Sequence, residues 1–129
     1  MQTSKVFVYG TLKKGDSCRG LDRWATGVQF IGPAVTSSSS FSLYDLGAFP
    51  ATTLNGNSHI SGEVWIVDQD TMHDLDRIEG YPAFYKRTQV DTTQGRAWMY
   101  FIPDIENYQA ELIKPNTNNT VSWRAYEPS

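Results

Sequence analysis

The hydrophobic period of this chain changes once, and that change limits what it can fold into. Up to Val67 the apolar residues come in short β-branched and aromatic runs, of which Ile60 to Val67 is the strongest, the pattern of strands bounded by turn residues. Immediately afterwards Met72, Leu75 and Ile78 recur at helical spacing, with Glu79 on or near the same face. Asp70 is expected to cap this helix, its carboxylate accepting free amide protons of the first turn. Gly80 stands where a left-handed residue closes a helix, and Pro82 prevents continuation. Strands then resume over Phe84 to Thr92 and Arg96 to Ile102, joined by Thr93-Gln94-Gly95. Six or seven short strands and one clear helix do not alternate, which argues against a doubly wound parallel sheet. The expected fold class is α+β: a small, barrel-like, strongly twisted mixed sheet with one main helix packed on its side.

The earlier segments fit this scheme. Lys5 to Tyr9 is nearly continuous in apolar residues, which predicts a strand buried on both faces and ending at Gly10. Gly10 to Gly20 reads as a loop and Leu21 to Ala25 as a short helical turn. Val28 to Val35 is a strand interrupted by Gly32-Pro33, so a bulge or an edge position is expected there. Phe41 to Tyr44 is a short strand, Asp45 to Ala51 a loop, and Asn55-Gly56-Asn57 a turn. From Pro103 the chain is polar and irregular, with Trp123 and Tyr126 expected to pack back on the body. A length of 129 residues corresponds to one domain over 1–129, with a core at about 5–102 and a tail at 103–129.

Composition narrows the function. Apolar residues make up 40% and charged residues 19%, a globular balance. A net charge of −3 gives no footprint of a nucleic-acid partner, and the Lys13-Lys14 pair reads as a solvated loop. The one cysteine, Cys18, excludes an internal disulfide framework and a Cys-rich zinc site. The N-terminus shows no signal-peptide hydrophobic region. No apolar run approaches the ~18 residues of a membrane span. The expectation is therefore no membrane partner and a cytoplasmic protein.

Three constellations offer chemistry. Tyr9-Gly10-Thr11-Leu12-Lys13-Lys14-Gly15 leaves a buried strand through glycine, which lets several backbone amides converge on an anion or an oxyanion. It lacks the GxxxxGK(S/T) spacing of a phosphate-binding loop, and taken alone an ordinary tight turn is the plainer explanation. In Leu75-Asp76-Arg77-Ile78-Glu79-Gly80-Tyr81-Pro82, Glu79 ends a helix whose apolar face points to the core. Part-burial there raises a carboxylate pKa, which suits a group that takes and gives a proton. The alternative is a solvated helix-end residue, a position that the helix dipole disfavours for a negative charge. In Tyr85-Lys86-Arg87, Tyr85 and Arg87 share one face of a strand and offer a hydroxyl and a guanidinium fork to a carboxylate; a packed Tyr and an ion-paired Arg explain the pattern equally. Asp68, Asp70, Asp74 and Asp76 read as caps and solvated helix positions. His59 and His73 have no metal-ligand spacing.

Taken in order, Val6-Phe7-Val8-Tyr9-Gly10-Thr11-Leu12-Lys13-Lys14-Gly15, Asp45-Leu46-Gly47-Ala48-Phe49-Pro50-Ala51, Gly62-Glu63-Val64-Trp65, Leu75 to Pro82 and Tyr85-Lys86-Arg87 resemble the γ-glutamylcyclotransferase-like family. The resemblance is to its short branch of γ-glutamylamine cyclotransferases and AIG2-like proteins, and it covers about residues 5 to 102. It implies an acyltransferase that works without metal or organic cofactor. Such an enzyme converts a small-molecule γ-glutamyl amine or γ-glutamyl amino acid to 5-oxoproline and free amine. It implies Glu79 as the acid/base, Tyr9, Gly10, Thr11 and Leu12 as the substrate-binding loop, and Tyr85, with Arg87 beside it, as further substrate contacts. The rival readings are a non-catalytic metabolite-binding module of the same fold and an acyl transfer through Cys18. No oligomeric state follows from the sequence.

Overall fold

The computed structural model describes residues 2–10, 20–21 and 25–123. Its elements are β1 (Thr3–Val8), β2 (Val28–Val35), β3 (Phe41–Asp45), β4 (Pro50–Asp68), α1 (Gln69–Glu79), β5 (Lys86–Thr92), β6 (Gly95–Phe101), a 3-10 turn (Ile105–Asn107), β7 (Glu111–Leu112) and β8 (Thr120–Val121). The architecture is α+β, a mixed sheet with one main helix, as the change of period requires.

β4 is the spine. Its C-terminal half pairs antiparallel with β1 on one edge, Thr3↔Asp68 to Val8↔Glu63, and with β2 on the other, Val28↔Val67 to Val35↔Ser61. β6 joins β1 in parallel at Val6↔Trp98, and β5 joins β6 as an antiparallel hairpin. The ends of this five-strand order meet. Thr36, just past β2, bridges to Thr92 at the end of β5. Around that bridge Ser37 N–H donates to the carbonyl of Asp91 at 2.8 Å and Thr93 N–H to that of Val35 at 3.0 Å. The sheet is thereby drawn into a barrel-like ring.

Side chains alternate across each strand, so β1 serves two cores. Phe7 and Tyr9 meet Ala34, Val64, Val90, Ala97 and Met99, side chains from all five strands of the ring. Val6 and Val8 turn the other way, against Trp65, Val67 and the Met72 and Leu75 face of α1. This double burial accounts for the unbroken apolar run. Met72 and Leu75 are 6% and 0% exposed, and each contributes on the order of 1.5–3 kcal/mol by burial.

Two expectations require correction. The cap of α1 is Asp68, not Asp70; its Oδ1 accepts the Thr71 amide at 2.8 Å, while Asp70 lies within the first turn. The helix starts earlier because β4 feeds into it without a linker. Asn55-Gly56-Asn57 does not end a strand. β4 continues through it, and the register with β3 jumps from Phe41↔Ser58 to Ser42↔Thr53, leaving residues 54–57 as a bulge. Pairing of β4 with β3 before the bulge and with β8 at His59 and Ile60 keeps the chain in one strand. The break expected at Gly32-Pro33 is a register shift between Phe30 and Gly32. Trp123 packs back on the body at 2% exposure; Tyr126 and most of the Leu21 to Ala25 turn lie outside the described residues.

Gly80 closes α1 with φ 68°, and the amides of Gly80 and Tyr81 donate to the carbonyls of Arg77 and Asp76. A Cβ there would also press on Phe84 Cβ at 3.1 Å. Gly80→Ala is expected to cost about 1 kcal/mol, read as a lower midpoint of chemical denaturation. The Thr71 hydrogen bonds hold the Asp68 carboxyl below the usual range. Its contribution is therefore full above the ordinary carboxylate pKa and is lost as pH falls through the lowered folded value. A stability–pH curve for Asp68→Asn is expected to lack that part of the acid limb.

Candidate active site

Element lengths bring the distant motifs together. β1 and α1 both start at the level of Asp68, because Thr3 pairs with Asp68 and Asp68 caps the helix. From there β1 rises about 17 Å to Val8, and the 11 residues of α1 cover about 16 Å. The two elements finish side by side, so Glu79 arrives where the chain leaves β1 through Tyr9 and Gly10.

At that point a cavity of about 80 Å³ opens, lined by Phe7, Val8, Tyr9 and Gly10 from the end of β1, Phe49 and Pro50 at the start of β4, Ile78 and Glu79 at the end of α1, Phe84 and Tyr85 ahead of β5, and Tyr100 of β6. Of the residues expected from the sequence, Tyr9, Gly10, Glu79 and Tyr85 share this wall. Thr11, Leu12 and Cys18 lie outside the described residues. Gly10 is required by packing, since a Cβ would meet Pro50 Cγ at 2.7 Å. Glu79 is half-buried, as the apolar face of its helix implied.

The wall is rigid. Tyr9 donates its hydroxyl proton to the carbonyl of Tyr100 at 2.8 Å and accepts the Thr52 amide at 3.0 Å. Tyr85 donates to the carbonyl of Pro50 at 2.7 Å. Phe84 stands edge-on to Tyr85 at 5.0 Å and to Phe49 at 6.1 Å between ring centres, pairs worth about 0.5–1.5 kcal/mol each beyond their burial. Desolvation pushes the Tyr9 phenol well above its ordinary value, and the charge of Glu79 adds to the rise. Tyr100 is pushed up by desolvation first, then by its hydrogen bond to Asp76 and the charges of Asp76 and Glu79, with Arg87 opposing. Both phenols therefore stay protonated at ordinary pH.

Arg87 departs from the expectation of a shared face with Tyr85. Tyr85 precedes β5 and turns into the cavity, whereas Arg87 lines a separate cleft with Gln69, His73 and Trp98. Its Nε and a terminal nitrogen donate to Asp76 Oδ1 and Oδ2 at 2.9 and 3.2 Å. Its guanidinium lies 4.7 Å from the Tyr81 ring centre and 4.4 Å from that of Trp98. Of the two readings of Arg87, the fold makes it an ion-paired arginine. Asp76 is correspondingly no solvated helix position: its side chain is 17% exposed and also accepts the Tyr100 hydroxyl at 2.7 Å.

Tyr100 and Asp76 join the site without having stood out as site residues in the sequence. The available signals were the three-residue step from Asp76 to Glu79, which places both on one helix face, and the alternation of Trp98 and Tyr100 in β6. A second buried carboxylate, Glu63, is 2% exposed, accepts the Trp65 indole N–H at 3.1 Å and lies outside the cavity lining. Among the described residues no three His, Cys, Asp or Glu side chains group as metal ligands, and no helix is long and apolar enough to cross a membrane.

Tyr9→Phe tests how far the wall is structural. It strands the buried Thr52 amide, and a loss of about 1–3 kcal/mol in unfolding free energy is expected.

With this geometry in view, the chain was compared with known proteins. Residues 6–125 match the family described as gamma-glutamyl cyclotransferase, AIG2-like. A Vibrio cholerae protein provisionally named a gamma-glutamylcyclotransferase is 39% identical over 95 residues, which cover 74% of this chain and 78% of that one. The Escherichia coli gamma-glutamylcyclotransferase family protein YtfP is 34% identical over 96 residues, 74% of this chain and 80% of its own. The solution structure of the E. coli protein superposes with a TM-score of 0.61 at 33% identity over 84% of this chain and 90% of that one. The crystal structure of an AIG2-like protein from Mus musculus gives a TM-score of 0.66 over 99% of this chain and 100% of that one; at 21% identity the likeness is one of fold.

Proposed function

The chain belongs to the gamma-glutamyl cyclotransferase, AIG2-like, family, and from that premise we propose that it is a γ-glutamylcyclotransferase with Glu79 as its acid/base. The substrate is a small γ-glutamyl amine or γ-glutamyl amino acid, and the products are 5-oxoproline and the free amine. The observation that supports this reading most directly is Glu79 itself, a half-buried carboxylate on the wall of an aromatic cavity, beside the glycine at which β1 ends.

The reaction is intramolecular. The substrate's α-amine attacks its own γ-carbonyl, a five-membered ring closes, and the original amide C–N bond breaks. The attacking nitrogen loses two protons between ammonium and lactam, and the leaving nitrogen gains two to depart as an ammonium ion. A single carboxylate that takes protons at one nitrogen and returns them at the other closes this balance, and such general acid–base catalysis contributes about 10²–10⁴-fold. The cavity's other task is to fold the substrate so that the two reacting atoms meet, which removes much of the entropic barrier. The Phe49, Phe84 and Tyr85 side of the wall restricts that conformation, and the backbone amides from Gly10 through Thr11 and Leu12 stabilise the substrate's anionic oxygens. Tyr9 acts through its ring and its hold on Thr52 and Tyr100.

Release of 5-oxoproline from a panel of γ-glutamylamines and γ-glutamyl dipeptides tests this directly. Glu79→Gln is expected to bind the same compounds and to lose turnover by about 10²-fold or more. Release by that variant near the unmodified rate would remove Glu79 from the role. Binding without release by the unmodified protein would make it a metabolite-binding module instead.

A further inference from the structure

Each tyrosine of the cavity wall among the described residues has committed its only proton. Tyr9 donates to the Tyr100 carbonyl, Tyr85 to the Pro50 carbonyl and Tyr100 to Asp76 Oδ1. A carbonyl oxygen or an ion-paired carboxylate can only accept, so the direction of all three bonds is fixed. Towards a bound molecule none of these phenols donates; the Tyr9 oxygen already accepts the Thr52 amide, and the Tyr100 oxygen can act as an acceptor. With the Glu79 carboxylate on the same wall, the Tyr100 oxygen suits a group rich in N–H donors.

Tyr9 and Tyr85 are held by backbone carbonyls. Tyr100 is held by a side chain of α1, and that side chain lies one turn before Glu79 on the same helix face. Asp76 is in turn gripped at both oxygens by Arg87, whose guanidinium also packs over the Tyr81 and Trp98 rings. The ion pair keeps Asp76 from standing as an uncompensated, part-buried charge near Glu79. Two-point contact also fixes the carboxylate plane, and with it the direction in which Tyr100 points its proton.

Resting on the reading above, we propose that Asp76 and Arg87 are positioning residues that make Tyr100 an acceptor, and that the Tyr100 oxygen and the Glu79 carboxylate together receive the substrate's α-ammonium. The α-carboxylate and the developing oxyanion find no phenolic donor among the described residues of this wall and fall to backbone amides. The network thus selects for the free α-amine, the group that must attack.

A ligand pair isolates this role: a γ-glutamyl alkylamide, and the glutaric acid monoalkylamide that differs only in lacking the α-amine. Both are titrated by calorimetry into Glu79→Gln, in which turnover is suppressed, with and without Tyr100→Phe. Tyr100→Phe is expected to weaken the amine-bearing ligand about tenfold and to leave the des-amino ligand unchanged. Asp76→Asn is expected to weaken the same ligand when Tyr100 is intact and to add nothing when combined with Tyr100→Phe, because it acts through that residue. Should Asp76→Asn fail to fold, the ligand pair on Tyr100→Phe alone decides. Equal losses for both ligands, no loss for either, or no binding of either overturns the proposal. The underlying reading is judged separately, by 5-oxoproline release from the unmodified protein.

Discussion

Pairing along β4 is the constraint on which the rest of the molecule depends. Over its C-terminal half this strand has β1 on one edge and β2 on the other, and over its N-terminal half it carries β3. A strand paired on both edges cannot slip by one residue without turning its core side chains outward. Trp65 and Val67 are therefore fixed beneath α1, and Val64 inside the ring. Because the helix starts at the last residue of β4, the position of everything on it is inherited from this register.

That inheritance explains the site. Glu79 carries no signal of its own for where it will lie. It lines the same cavity as Gly10 because β1 and α1 leave the same level and rise to nearly the same height. The closure at Gly80 then turns the chain back, so that Phe84 and Tyr85 fall against Phe49 and Pro50. Five separate stretches of chain line one small cavity, and the edge-on ring contacts give its wall a defined shape.

The polar part of the cavity wall is organised by hydrogen-bond direction more than by charge. Tyrosines in a pocket are commonly regarded as donors, but here each proton is directed into the protein. The Arg87, Asp76 and Tyr100 network shows how an ion pair outside a cavity bears on what its wall offers. The pair is part-buried and doubly bonded, so it is ordered in a way that an exposed pair such as Arg96 and Asp91 is not.

The sequence by itself determined most of the elements and some of their ends: the buried strand that the chain leaves through Tyr9 and Gly10, the helix stopped at Gly80, the hairpin after Thr92, and the exclusion of a doubly wound sheet. These are local consequences of side-chain period, of capping and of backbone freedom at glycine, and they are written in neighbouring residues. It also marked Tyr9, Gly10, Glu79 and Tyr85 as candidates that the fold gathers in one wall. What it left out depends on residues far apart in the chain. Asn55-Gly56-Asn57 looks like a turn until the strands on either side hold it in β4. Asp76 looks solvated until Arg87 and Tyr100, from two other strands, close on it. Arg87 looks like a ligand for substrate until Asp76 takes its fork. Only the tertiary structure decides such cases, because a hydrogen-bonding side chain shows its capacity in the sequence but finds its partner in space.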